Sequence, residues 1–181
     1  MFISAEKKKE NIAEYLLYMW QIEDIIRAYK FDIEKINAQI ILPYPCAEDD
    51  KKALLTWYEN LIDMMREEHV IELGHLQINN NILIDLNDLH QTILTSNFHQ
   101  DYKNQYYKTN ALITEIKAKQ GNAIENEIEV CFTFLYGFLL LKLQKKAITK
   151  ETATASNEIS QFIALLASKY KLYKAGKLEL E

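Results

Sequence analysis

IEVCFTFLYGFLLLKL, Ile128 to Leu143, is apolar at twelve of its sixteen positions. Plotted at helical pitch, Glu129, Thr133 and Gly137 fall on one narrow stripe. A helix that is apolar on nearly every side belongs in the middle of a bundle. A bilayer crossing needs about twenty apolar residues, and charges close this shorter run at both ends. The stretch therefore predicts a central helix over about residues 124–147, hidden from water on all sides. The fold class that follows is all-α: a single-domain bundle of six or seven helices around that rod.

Composition agrees with this reading. Only four glycines and two prolines occur in 181 residues. A chain with so few turn-formers must run in long elements, and apolar residues spaced at i, i+3 and i+4 make those elements helices. The net charge of −5 offers no basic face to phosphates, so no nucleic-acid partner is expected. Cys46 and Cys131 read as free thiols of a reducing compartment. Lys7, Lys8 and Lys9 are followed by Glu10, Glu14 and Glu23, which is not a signal-peptide pattern. A cytoplasmic protein without a membrane partner is expected. Residues 1–177 read as one domain, and residues 178–181 as a tail that can include a cloning scar.

Outward from the central run, helix one should cover about Ala5 to Lys30, with Ile12, Tyr15, Leu16, Met19, Ile22 and Ile26 inward. Phe31 can staple to Ile36 and Asp32 can cap a short second helix, which ends before Pro43 and Pro45. Glu48, Asp49 and Asp50 suit the N-terminus of helix three, which runs to about His69. Its inner stripe is Leu54, Tyr58, Leu61 and Met65, flanked by Trp57 and Ile62, and Gly74 marks the break. Helix four covers about Ile78 to Thr95, with Ile82, Leu86, Leu89 and Ile93 inward. Asn97 with Gln100 resembles a capping box for helix five, whose stripe is Tyr102, Tyr106, Thr109, Ile113 and Ile116. Asn122 with Glu125 resembles a second box, leading into the central helix. Thr149 can cap the last helix, with Ile159, Phe162, Ile163, Leu166 and Tyr170 inward and Thr149 to Asn157 partly frayed.

Few residues suggest chemistry. Thr133 and Gly137 form a small-residue stripe that predicts close helix packing, so that Gly137→Leu should loosen the domain. Glu23 lies on an inner stripe, where a carboxylate must be paired or protonated. Arg27, one turn on, is the expected ionic partner. A polar floor to a pocket near Trp20 is the alternative. Arg66, near Asp63 and Glu59, reads as a solvated surface network. His90 flanks the inner face of helix four near Asn79 and Asp85. Glu72 and His75 have the spacing of one half of a helical di-metal site, but no second copy exists and Gly74 interrupts it. No metal and no cofactor are expected. Cys131 sits in apolar surroundings that make a thiol inert. No nucleophile elbow, phosphate-cradling loop or Cys-x-x-Cys pair occurs, so no catalytic residue is assigned.

Several strings have the look of a family. KKENIAEYLLYMWQIEDIIRA (Lys8 to Ala28), WYENLIDMMREE (Trp57 to Glu68), GHLQINNNILIDLNDLH (Gly74 to His90) and LYGFLLLKLQKK (Leu135 to Lys146) resemble an uncharacterised domain-of-unknown-function family of Bacteroidetes. The resemblance covers almost the whole chain. It implies a bacterial cytosolic helical protein and carries no substrate, cofactor or catalytic residue.

Two functions are therefore expected in order. The first is a non-enzymatic protein acting through protein–protein or self association, suggested by the missing motifs and by Tyr18, Tyr29, Tyr107, Tyr173 and Trp20 outside the inner stripes. The second is a small-molecule binder or helical enzyme with a pocket between helices one, three and four, lined by Glu23, Arg27, Asn79, Asp85 and His90.

Overall fold

The computed structural model of the chain describes residues 3–121, 124 and 126–180. Among these the protein is helical and contains no strand. The elements are α1 (Ile3–Glu10), α2 (Ile12–Ala28), α3 (Ile33–Ile36) running into a π-helical turn (Asn37–Ile41), α4 (Glu48–Glu67), α5 (Gln77–Thr95), α6 (Gln100–Lys119), α7 (Glu127–Leu143) and α8 (Lys150–Lys174). The all-α bundle class read from the sequence is correct. The first expected helix is two, because Asn11 interrupts it and its Oδ1 accepts from the Ala13 N–H at 3.1 Å. That is an N-cap in the middle of an otherwise helical pattern. No helix of the described residues is long and apolar enough to cross a membrane.

The chain divides into two compact units, residues 1–9 with 14–81 and residues 10–13 with 82–181. In the first unit α2 buries Tyr15, Leu16, Met19, Ile22 and Ile26, the stripe its spacing defines. Trp20, placed outside that stripe by the sequence, is buried as well. On α4, Tyr58, Leu61, Ile62 and Met65 are buried, while Leu54 and Trp57 are half-buried. Asp32 caps α3 by accepting from the Lys35 N–H at 3.1 Å. The α4 N-cap, Ala47, has no side-chain hydrogen bond, so Glu48, Asp49 and Asp50 alone complement the positive end of the helix. Arg66 is exposed and lies 3.6 Å from Asp63 and over the Phe31 ring, but among the described residues it does not reach Glu59. Gly74 turns the chain at φ +89°, where a side chain would be strained.

In the second unit α6, α7 and α8 pack on one another in pairs, joined by α5 from Ile82 onward. The expected stripes on α5 and α8 are buried, as are Tyr102, Thr109, Ile113 and Ile116 of α6, with Tyr106 half-buried. Thr149 caps α8 through the Thr152 N–H at 3.2 Å. The segment expected to fray is regular helix and contains the buried Ser156. The Asn97–Gln100 box is not formed. Gln100 is the first residue of α6 rather than the third, and His99 precedes it at φ +60° without a side-chain cap. The Asn122–Glu125 box falls outside the described residues. The α7 cap is Asn126, whose Oδ1 accepts from the N–H groups of Ile128 and Glu129.

α7 itself departs from the reading that started from it. Ile128, Val130, Cys131, Phe132 and Leu135 are buried, whereas from Tyr136 to Leu141 every residue keeps some exposure, Gly137 is exposed, and Leu143 is 61% exposed. Fully buried residues are confined to the first half of the rod. Thr133 is half-buried and Gly137 exposed, and a Cβ added at Gly137 would meet nothing within 4 Å. Among the described residues, the Thr133–Gly137 stripe is thus not a close helix contact. A run apolar on every side has no helical phase, so it cannot say which of its faces or halves the neighbours reach.

Candidate functional site

Among the described residues each unit holds a buried polar node. In the first, α2 carries Glu23 into the core, fully buried. Its Oε1 accepts from the Leu76 N–H at 3.0 Å and from Asn79 Nδ2 at 2.7 Å. Its Oε2 lies 2.6 Å from His75 Nδ1. These donors cluster at the start of α5, where backbone N–H groups lack intrahelical partners and the helix dipole is positive. A buried carboxylate placed there is stabilised by hydrogen bonds and by the dipole together. The His75 ring stacks on Trp20 with centroids 4.0 Å apart and planes 7° from parallel.

The expected Glu23–Arg27 pair is not formed. Arg27 pairs with Asp24 at 2.9 Å and donates to the carbonyls of Val70 and Gly74. The i, i+4 spacing permits a pair, but both side chains find partners on the α4–α5 connection that the local sequence does not reveal. Glu23 and Arg27 therefore clamp that connection from α2. Glu68 adds a third tie by accepting from the Gln77 N–H at 2.6 Å. The connection between these ties turns Ile71 and Leu73 outward, and Leu73 is 84% exposed. His75 stays 27% exposed, and its Nε2 has no hydrogen-bond partner among the described residues. Arg27 Nε and Asn79 Oδ1 are buried without one.

In the second unit the node is His90, fully buried on α5. Its Nδ1 lies 2.7 Å from the Tyr102 hydroxyl of α6, and its ring meets those of Tyr106 and, on α8, Phe162 edge-on. Its Nε2 stands 3.8 Å from Glu127 Oε2 of α7, an ion-pair separation too long for a hydrogen bond. All four helices thus meet at one imidazole. Tyr106 donates to Glu127 at 2.9 Å. The facing His90 ring holds the Glu127 carboxyl below its ordinary range, partial burial opposes this, and the Tyr106 hydroxyl adds to the lowering. Burial, with the Glu127 bond second, pushes the Tyr106 phenol up to about 12. Burial raises the Tyr102 phenol and the fully buried Cys131 thiol far above their ordinary values, which disfavours the thiolate that a nucleophile needs.

Of the five residues singled out by sequence, Glu23 and Asn79 touch, and Arg27 holds the same connection. Asp85 and His90 belong to the second unit and have other partners. Asp85 accepts from Lys174 at 2.8 Å and from the Tyr170 hydroxyl at 3.2 Å. The Lys174 bond keeps the Asp85 carboxyl below its usual range against slight burial. A shallow, open depression lined by Leu112, Lys150, Glu151, Thr154, Ala155 and Glu158 contains none of the five. Sequence reasoning missed His75 as the partner of Glu23, and Tyr102 and Glu127 as the partners of His90. Each partnership spans a loop or a helix pair. The one available signal was that a carboxylate on an inner stripe must have a partner somewhere.

A family model described as "Domain of unknown function (DUF4924)" matches residues 1–177. Neither the curated proteins nor the solved structures contain a match to the chain.

Proposed function

The chain belongs to this family of unknown function, and from that premise we propose that it is a non-enzymatic protein of the bacterial cytosol that acts by association with a protein, a second copy of itself included. What supports this is the α4–α5 connection: the buried Glu23 and the half-buried Arg27 hold its backbone while Leu73, 84% exposed, projects from it. Fixing a large apolar side chain in water stabilises nothing within the fold. Presented rigidly to a partner, it removes an ordering cost from binding. The test is retention of proteins, second copies included, by the immobilised wild-type chain and by Leu73→Asp. Retention by the wild type alone, with both chains equally folded, supports the reading. Equal retention by both, or none by either, overturns it.

One observation favours a second reading, a small-molecule binder or helical enzyme. His75 is oriented at Nδ1 by a buried carboxylate and backed by Trp20, while Nε2 is left unpartnered among the described residues. That is how a base is held for proton transfer. A small-molecule thermal-shift screen on the wild type and on His75→Ala tests it. Ligands that stabilise only the wild type would favour this reading over association.

A further inference from the structure

The first unit offers an acidic apolar surface and the second a basic one, each exposed. On the first, the exposed Ile71 and Leu73 lie within a few residues of Glu67 and Glu72 along the chain. Both carboxylates are exposed and have no ion pair among the described residues. Arg66, the nearby cation, is engaged with Asp63 and with the Phe31 ring. On the second, α7 ends in the half-buried Leu140 and Leu141 and the exposed Leu143, followed by Lys145 and Lys146. These two lysines are exposed and have no ion pair among the described residues either. Their backbone is held in place, because the Lys145 N–H donates to the Lys142 carbonyl and the Lys146 N–H to the Leu141 carbonyl. Lysines at a helix C-terminus also complement the dipole, but Lys142 inside the last turn already does so.

We propose that the α4–α5 connection of one copy docks on the C-terminal end of α7 of a second copy, with Leu73 and Ile71 against Leu143 and its neighbours, and Glu67 and Glu72 facing Lys145 and Lys146. The occupant is a second copy because the surface each patch needs, apolar with the opposite charge at its rim, is present on the same chain. Opposite charge at the rim sets register and partner choice, while the aliphatic contact supplies the burial. One loop and one helix end make a contact at the small end of specific interfaces, so the association is reversible and sensitive to salt. The inference rests on the association reading above and names its partner.

The test is sedimentation of the full chain over a concentration series at low and high salt, for four samples. These are the wild type, Glu67→Lys/Glu72→Lys, Lys145→Glu/Lys146→Glu, and an equimolar mixture of the two variants. The wild type should associate, and high salt should weaken it. Each reversal should weaken association about tenfold or more, since like charges then face each other. The mixture should recover it, because each reversed surface meets its new complement while the unreversed pair remains. All substitutions are at exposed positions, and recovery in the mixture also proves that both variants are folded. A wild type that stays monomeric at every concentration overturns the proposal, and so does association that survives reversal or is not recovered on mixing. If the wild type is monomeric yet still retains another protein through Leu73, the pairing fails and the association reading stands.

Discussion

Glu23 Oε2 and His75 Nδ1 lie 2.6 Å apart although 52 residues of chain separate them. The contact ties the middle of α2 to the entrance of α5 and leaves a buried carboxyl group met by the Leu76 N–H, the Asn79 amide and the His75 ring. Removing it should be felt well beyond one side chain. Glu23→Ala orphans the Leu76 N–H and the Asn79 amide, at a cost of about 2–5 kcal/mol. Glu23→Gln keeps the shape and loses the charge-assisted part, about 1–2 kcal/mol. Urea melts of the two variants check the order.

His75→Phe preserves a ring against Trp20 and removes only the hydrogen bond to Glu23. A loss of about 1–3 kcal/mol is expected. In a double-mutant cycle with Glu23→Gln the two effects should be less than additive, because Glu23→Gln weakens the same bond that His75→Phe removes. Strict additivity of the melting free energies would show that the pair is not coupled.

At the second node, Tyr102→Phe leaves His90 Nδ1 buried without its partner, and about 1–3 kcal/mol of stability should go with it. Thermal melting checks this at roughly 2–4 °C per kcal/mol for a chain of this size. Tyr106→Phe, at a half-buried site, should cost less.

Glu127 and Asp85 both have folded-state pKa values lowered from their ordinary 4.5 and 3.8. A carboxyl with a lowered folded value contributes stability above its unfolded value and loses it as pH falls through the folded one. The urea midpoint should therefore decline as pH drops below about 4.5 and continue to fall toward more acidic values. Glu127→Gln should flatten that acid limb. An acid limb identical to that of the wild type would remove Glu127 from the account.

Gly137 occupies a helix interior with open space around its Cα. Gly137→Ala should stabilise the protein by about 0.5–1 kcal/mol, through the lower conformational entropy of the unfolded chain. Gly137→Leu should also keep the domain folded. This reverses the sequence-based expectation of loosening, and a lowered melting temperature for either variant would restore the close-packing reading. In the same folded state Cys46 should react with a thiol reagent and Cys131 only on unfolding, as mass spectrometry of the labelled chain would report.

Much of this architecture was written in local spacing. The stripes on α2, α4, α5 and α8 could be named because three- and four-residue periodicity expresses one helix face, and the burial of Ile22, Leu61, Leu86 and Phe162 follows from it. Asp32 and Thr149 could be named as caps because a cap bonds within its own first turn. The same logic established that Glu23 needs a partner, since an inner stripe leaves a carboxylate no water.

Which partner it has depends on chain closure. Arg27 is adjacent in sequence, yet His75, Leu76 and Asn79 reach the carboxylate, because the end of another helix offers more donors than one neighbouring side chain. The halves of α7 are equally apolar on paper, yet only the first holds fully buried residues, because coverage is a property of the helices alongside it. Periodicity carries information over about one helical turn. The exposed Leu73, the four-helix meeting at His90 and the open end of α7 arise from contacts tens of residues apart, and those came with the folded chain.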